Sequence, residues 1–167
     1  MEKNHLDEHL DEKEEKLRAR LEKLDSLEKE IKAREKAMKA RENAYAPYSG
    51  FYVGAALLAA FEKDGKPLIF TGCNVENAAF TPTNCAERTA FFKGISEGVR
   101  AFRAIAIVGG KQGAVTDYTA PCGVCRQAMM EFCNPDTFDV IAAVSEADYK
   151  VFKLKELMRE GFGPDHV

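Results

Sequence analysis

The chain has no apolar run long enough to cross a bilayer, and its first thirty residues hold none of the apolar stretch of a secretory leader. Both absences predict a protein that neither spans a membrane nor is exported, with the cytoplasm as its compartment. An excess of positive charge is also missing. With 24 Lys and Arg against 27 Asp and Glu, the formal charge is −3, so no field draws in a polyanion. Nucleic acid is a poor partner, and a small, weakly charged molecule a better one. Histidine is scarce: His5, His9 and His166 stand near the two ends of the chain and cannot convincingly complete a metal site. The five cysteines (Cys73, Cys85, Cys122, Cys125, Cys133) are an odd number, which argues against a disulfide framework in a reducing compartment. Metal binding or burial must explain them. What remains, 167 residues of which 46% are hydrophobic, suffices for one compact core.

Glycine and proline are absent from residues 1–44, which hold 25 charged side chains, whereas the other 123 residues hold 26. Leu10, Leu17, Leu24, Ile31 and Met38 recur every seven residues, the spacing of one stripe on a long helix. The second seam position of a coiled coil falls on Lys13, Arg20, Arg34 and Arg41, with Leu27 the exception, so knobs-into-holes pairing would be poor. The plainer expectation is a solvated helix held by Glu and Lys three or four apart, with its last turns, from about Ile31, docked on the body. Residues 1–29 read as a charged helical extension and 30–167 as the functional domain.

In the body, Phe51–Phe61 and Pro67–Asn74 read as strands joined through Asp64-Gly65, a hairpin signal. Cys85–Gly98 is helical and ends on glycine; Ala101–Val108 is an apolar strand; Cys122–Cys133 is a short helix opening just after Pro121. Asp139–Ser145 and Tyr149–Leu154 read as strands whose very short turn forces them antiparallel. The expected fold class is α/β: a three-layer α/β/α sandwich with a mixed five-stranded sheet, preceded by the long helix.

Cys122-Gly-Val-Cys125 opens a helix, where two thiols share a face and sit in the field of free backbone N–H groups, which favours thiolates. Alone, this spacing suits a redox centre or a metal site equally. Cys85, at another helix start, offers a third ligand. Three protein ligands with the fourth position open is the arrangement of a catalytic zinc. Recruiting Cys73 or Cys133 would instead close a structural site, although both suit packing. Glu87, two residues past Cys85, lies near the metal without displacing the thiolate and is free to relay protons. Without the cysteines it would be an ordinary acidic residue at a helix start. Three thiolates need charge offset, which Arg88 can provide, though a plain surface ion pair would explain Arg88 as well.

Four motifs together resemble the homotetrameric cytidine deaminases over residues 45–164. They are Tyr45-Ala-Pro-Tyr-Ser-Gly-Phe51 with Val53-Gly-Ala-Ala56, Gly72-Cys-Asn-Val-Glu-Asn-Ala-Ala-Phe80, Cys85-Ala-Glu-Arg-Thr-Ala90, and Ala120-Pro-Cys-Gly-Val-Cys-Arg-Gln127. The resemblance implies one Zn2+ per chain at Cys85, Cys122 and Cys125, with Glu87 as proton shuttle. It further implies Asn74 and Glu76 on the ribose hydroxyls, Phe51 beside the nucleoside, and the backbone at Ala86 reading the pyrimidine edge. Phe162 would complete the pocket of a neighbouring subunit in a homotetramer. The activity implied is hydrolytic deamination of cytidine and deoxycytidine, a reaction of pyrimidine salvage. A reading of another class stands beside it: a zinc-stabilised, non-catalytic binding or assembly module that works through the N-terminal helix.

Overall fold

The structure is a computed structural model that describes residues 2–159, 161 and 163, the side chains of 2–10 excepted. Helix α1 (Glu2–Arg41) is followed by β1 (Phe51–Lys63), β2 (Lys66–Cys73), α2 (Ala86–Ser96), β3 (Phe102–Lys111), α3 (Gly123–Phe132), β4 (Asp139–Ala143), β5 (Tyr149–Lys153) and a short α4 (Leu154–Leu157). The strands form one sheet in the order β2-β1-β3-β4-β5. Only β3 and β4 run parallel, joined by a crossover through α3; the other neighbours are antiparallel, including the expected β4–β5 pair. Asp64 and Gly65 take φ of 53° and 67°, the double left-handed geometry of a tight hairpin turn, so the Asp-Gly signal marks the β1–β2 corner.

Helices cover both faces, which is why β1 and β3 read as unbroken apolar runs instead of alternating ones. Alternate residues still divide between two cores. Ala55, Leu57, Ile105, Ile107 and Val140 pack with Phe91, Met129 and Phe138 beneath α2 and α3. Ala56, Leu58, Ala104, Ala106 and Ile141 pack with Ala33 and Ala37 beneath α1. The small residues of this second core let α1 lie unusually close: a Cβ on Gly54 would stand 2.0 Å from the Ala37 carbonyl oxygen.

Helix α1 meets the sheet earlier than the expected docking point at Ile31. Lys29 pairs with Glu62 at 2.7 Å and Arg103 with Glu30 at 3.0 Å, while Ile31 itself faces outward. Docking is carried by Ala33, Ala37 and the buried Arg34, whose guanidinium lies 3.9 Å from the Tyr149 ring centre and whose Nε donates to the Glu146 carbonyl. At the helix end, Arg41 donates to the carbonyls of Tyr52, Lys111 and Ala114. Long cationic side chains with apolar stems thus serve the interface, which the period-seven stripe does not reveal.

A second close approach positions the chemistry. A Cβ on Gly72 would fall 2.4 Å from the Ala86 carbonyl oxygen and 2.5 Å from the Ala90 nitrogen, so only glycine lets β2 carry the first turn of α2. Gly72→Ala is expected to cost about 1–3 kcal/mol, the usual range for overpacking. Because the strain falls on the turn holding Cys85 and Glu87, zinc affinity should weaken along with thermal stability. A variant that melts lower yet binds zinc as tightly as the native chain would show that the turn is not positioned this way.

Candidate active site

Cys85 and Cys122 are the N-cap residues of α2 and α3, both with extended backbone and neither using its side chain to cap. Their thiols are therefore free of the helices they start and turn toward each other. Cys85 Sγ and Cys122 Sγ are 3.8 Å apart, and all three sulfurs, with Cys125, lie within 4.8 Å of one another. Tetrahedral zinc with Zn–S bonds near 2.3 Å requires sulfurs about 3.8 Å apart. The cluster fits a single Zn2+, and among the described residues no fourth His, Cys, Asp or Glu joins it. Cys73 lies elsewhere, its thiol 3.4 Å from the Asn43 carbonyl, and Cys133 is buried in the core under α3. Burial pushes both of these thiols up, Cys133 to about 12, as befits neutral packing groups.

The cluster is arranged for anionic sulfur. The thiol of Cys125 beside Cys85, helped by the Arg88 guanidinium, holds Cys85 down at about 5. Cys125, which donates to Cys85 and is buried, is pushed up in turn. Arg88 Nη2 lies 3.8 Å from Cys85 Sγ and 3.3 Å from the Thr83 carbonyl, and its buried Nε has no partner. A guanidinium this close to Cys85 favours the anionic form of that sulfur. Glu87, in the first turn of α2, is only 5% exposed. Burial lifts its carboxyl to about 7, a value at which it can both take and give a proton near neutrality.

One cavity of about 320 Å3 joins these groups to the other expected residues: it is lined by Cys85, Ala86, Glu87 and Cys122 and by Phe51, Asn74 and Glu76. Asn74 bridges to β1, its Oδ1 accepting from Val53 N at 2.8 Å and its Nδ2 donating to Phe51 O at 2.9 Å. Glu76 accepts from the backbone N–H of Tyr48 at 2.9 Å and of Ser49 at 3.2 Å, and from the Ser49 hydroxyl, which holds its carboxyl below the ordinary range. Phe162 lies outside the described residues. Asn84, Thr83, Thr119 and Ala120 also line the cavity. Two of these were within reach of sequence reasoning, since Asn84 immediately precedes the first ligand and Ala120-Pro121 the second.

Arg126 is a further residue that the reading of the motifs passed over. Its Nε donates to Pro121 O at 2.7 Å and its Nη1 to Leu157 O at 2.8 Å, tying the segment that delivers Cys122 to the end of α4. Its adjacency to Cys125 was the available signal.

A family profile described as the cytidine and deoxycytidylate deaminase zinc-binding region matches residues 27–140. A cytidine deaminase of Sporosarcina psychrophila is 58% identical over 91 residues, which are 54% of this chain and 60% of that protein. A cytidine deaminase of Halalkalibacterium halodurans is 46% identical over 119 residues, 71% of this chain and 83% of its own length. Among solved structures, the cytidine deaminase from Burkholderia pseudomallei superposes with a TM-score of 0.67 at 45% identity, covering 78% of this chain and 96% of that one. The cytidine deaminase from Mycobacterium tuberculosis does so with a TM-score of 0.62 at 35% identity, covering 78% and 94%.

Proposed function

The chain belongs to the cytidine and deoxycytidylate deaminase family, and from that premise we propose that it hydrolyses cytidine and deoxycytidine to uridine and deoxyuridine, releasing ammonia, as a step of pyrimidine salvage. The supporting observation is a single cavity bounded by Cys85 and Cys122 of the three-sulfur cluster, by buried Glu87, and by Asn74 and Glu76. Cys85, Cys122 and Cys125 would hold Zn2+, which when bound would supply a water acidified toward a pKa of roughly 7. Glu87 takes a proton from the water and passes it to ring N3 of the base, which makes C4 electrophilic; the water oxygen adds to C4, and Glu87 carries its remaining proton to the exocyclic nitrogen, so that the C4–N bond breaks, ammonia leaves and a C4 carbonyl remains. Arg88 offsets the charge of the thiolates.

Other residues of the lining hold the nucleoside. Phe51, 39% exposed at the mouth, packs beside it, while the backbone at Ala86 reads the pyrimidine edge. Asn74 spends one N–H and one lone pair on β1, which leaves one of each for a ribose hydroxyl, and Glu76 is fixed by Tyr48 and Ser49 as the acceptor beside it. Residues 30–167 form the catalytic domain and 1–29 an extension. The soluble protein works in the cytoplasm as a homotetramer, with Phe162 completing a neighbour's pocket. No described helix is long and apolar enough to cross a membrane.

The direct test is the fall in ultraviolet absorbance when the purified protein meets cytidine, run beside metal analysis. Turnover with about one zinc per chain supports the reading; full zinc without turnover on either nucleoside overturns it. Glu76→Gln should raise KM for cytidine by about 10- to 100-fold, through loss of a charged acceptor for the ribose, with a smaller change in kcat. An unchanged KM would remove Glu76 from the sugar site.

A further inference from the structure

Upstream of Met38, which packs against the core beneath α1, the leucine stripe of α1 takes no part in the fold. Leu17, Leu21, Leu24 and Ile31 are 59%, 57%, 52% and 39% exposed. The residues that dock the helix, Ser26, Glu30, Ala33 and Ala37, lie round the other side: at 3.6 residues per turn, Leu24 is roughly 160° from Ser26. Where α1 begins to rest on the sheet, at Ile31, the stripe still faces away from it. Contiguous exposed apolar surface of this kind marks an interaction site.

The charges on the stripe identify the occupant. Lys13 and Arg20 interleave with the leucines of its N-terminal half, Glu28 and Glu35 with its C-terminal half, and all four are exposed. Among the described residues none of the four forms an ion pair within its own chain, although Lys16–Glu12 and Lys29–Asp25 do so on other faces of the helix. We propose that α1 pairs antiparallel with α1 of a second copy of this chain about a two-fold axis at Leu24. In that register Leu24 meets Leu24, Leu17 meets Ile31, Arg20 faces Glu28, and Lys13 faces Glu35, because each pair is equally spaced about residue 24. A parallel pair would place Arg20 on Arg20 and Glu28 on Glu28, so the segregation of charge selects the antiparallel one. The contact is isologous, as a closed two-fold assembly requires. Arg34, which spoiled the seam in the sequence, is buried against Tyr149 and lies outside it. Each body packs on the face of α1 turned from the partner helix, so the two bodies stand at opposite ends and on opposite sides of the pair.

The pairing depends on the arm alone and stands or falls independently of the proposed activity. Light scattering at low protein concentration on the full chain, Arg20→Glu, Glu28→Arg and the double variant tests it. Each single reversal is expected to lower the number of chains per particle two-fold, and the double reversal to restore it, with circular dichroism and zinc content unchanged throughout to show that the body is folded. A particle mass that is the same in all four proteins overturns the proposal, whether α1 is left solvated or covered by another protein. A double variant that stays at the lower mass overturns the register.

Discussion

Glu87→Gln is expected to lower kcat for cytidine by on the order of 10^4-fold while leaving zinc content intact. Glutamine keeps the volume and a hydrogen-bonding oxygen of a side chain that is 5% exposed, so packing should hold. It removes only the capacity to carry a proton, and two transfers depend on that capacity. A 10^4-fold loss corresponds to about 5.5 kcal/mol of transition-state stabilisation. The same substitution makes a prediction of opposite sign for stability. Burial raises the Glu87 pKa from 4.5 to about 7 in the metal-free protein, so the folded state binds the proton more tightly than the unfolded one. Stability therefore falls as pH rises from about 4.5 through 7, where folding must hold an ionised carboxylate out of water. Metal-free Glu87→Gln lacks that cost and should be more stable than the metal-free native chain at pH 8, by up to about 3 kcal/mol, with the difference vanishing below about pH 4.5. Urea denaturation at the two pH values checks the sign. A variant with both lower activity and lower stability at pH 8 would mean that the side chain is structural.

The site was legible where short-range geometry fixes it. Cys85 and Cys122 are N-caps, whose extended conformation sends the thiol away from the helix, and Cys125 lies in the first turn of α3. Glu87 follows from lying two residues past Cys85. Element boundaries came within two or three residues, because Asp64-Gly65, Gly98 and Pro121 punctuate the body. The strand order was not legible, since β1 and β3 are apolar on both faces and offer no alternation from which to infer neighbours. Nor was the point at which α1 docks: its inner face is built from alanines and arginine stems, whereas its outward face carries the leucines. The exposed leucines dominate the periodicity, so the pattern pointed to the face that the body leaves free. Asn74 reads in the sequence as a sugar ligand, with a polar cap at the strand end as the alternative, and its amide does staple β2 to β1 through Val53 and Phe51.

Cys125→Ser is expected to strip the metal and the activity together. Cys125 is 1% exposed and completes the three-sulfur cluster, and a serine hydroxyl, which stays protonated near neutral pH, cannot replace a thiolate on zinc. After dialysis against a mild chelator the variant should retain less than about a tenth of the native zinc, and turnover should fall in proportion to zinc content. Two of the sulfurs would then remain at the converging starts of α2 and α3 with no cation between them, so the melting temperature should drop as well. The informative controls are Cys73→Ala and Cys133→Ala. A closed four-cysteine structural site requires one of them as its last ligand, whereas the open site requires neither. Cys73 sits against the Asn43 carbonyl and Cys133 in the core beneath α3, so both controls should keep full zinc and turnover, Cys133→Ala losing about 1 kcal/mol of stability through its small cavity. Loss of zinc from either control would mean that the fourth position is filled by sulfur. No open position would then be left for water, and the hydrolytic chemistry would fail with it.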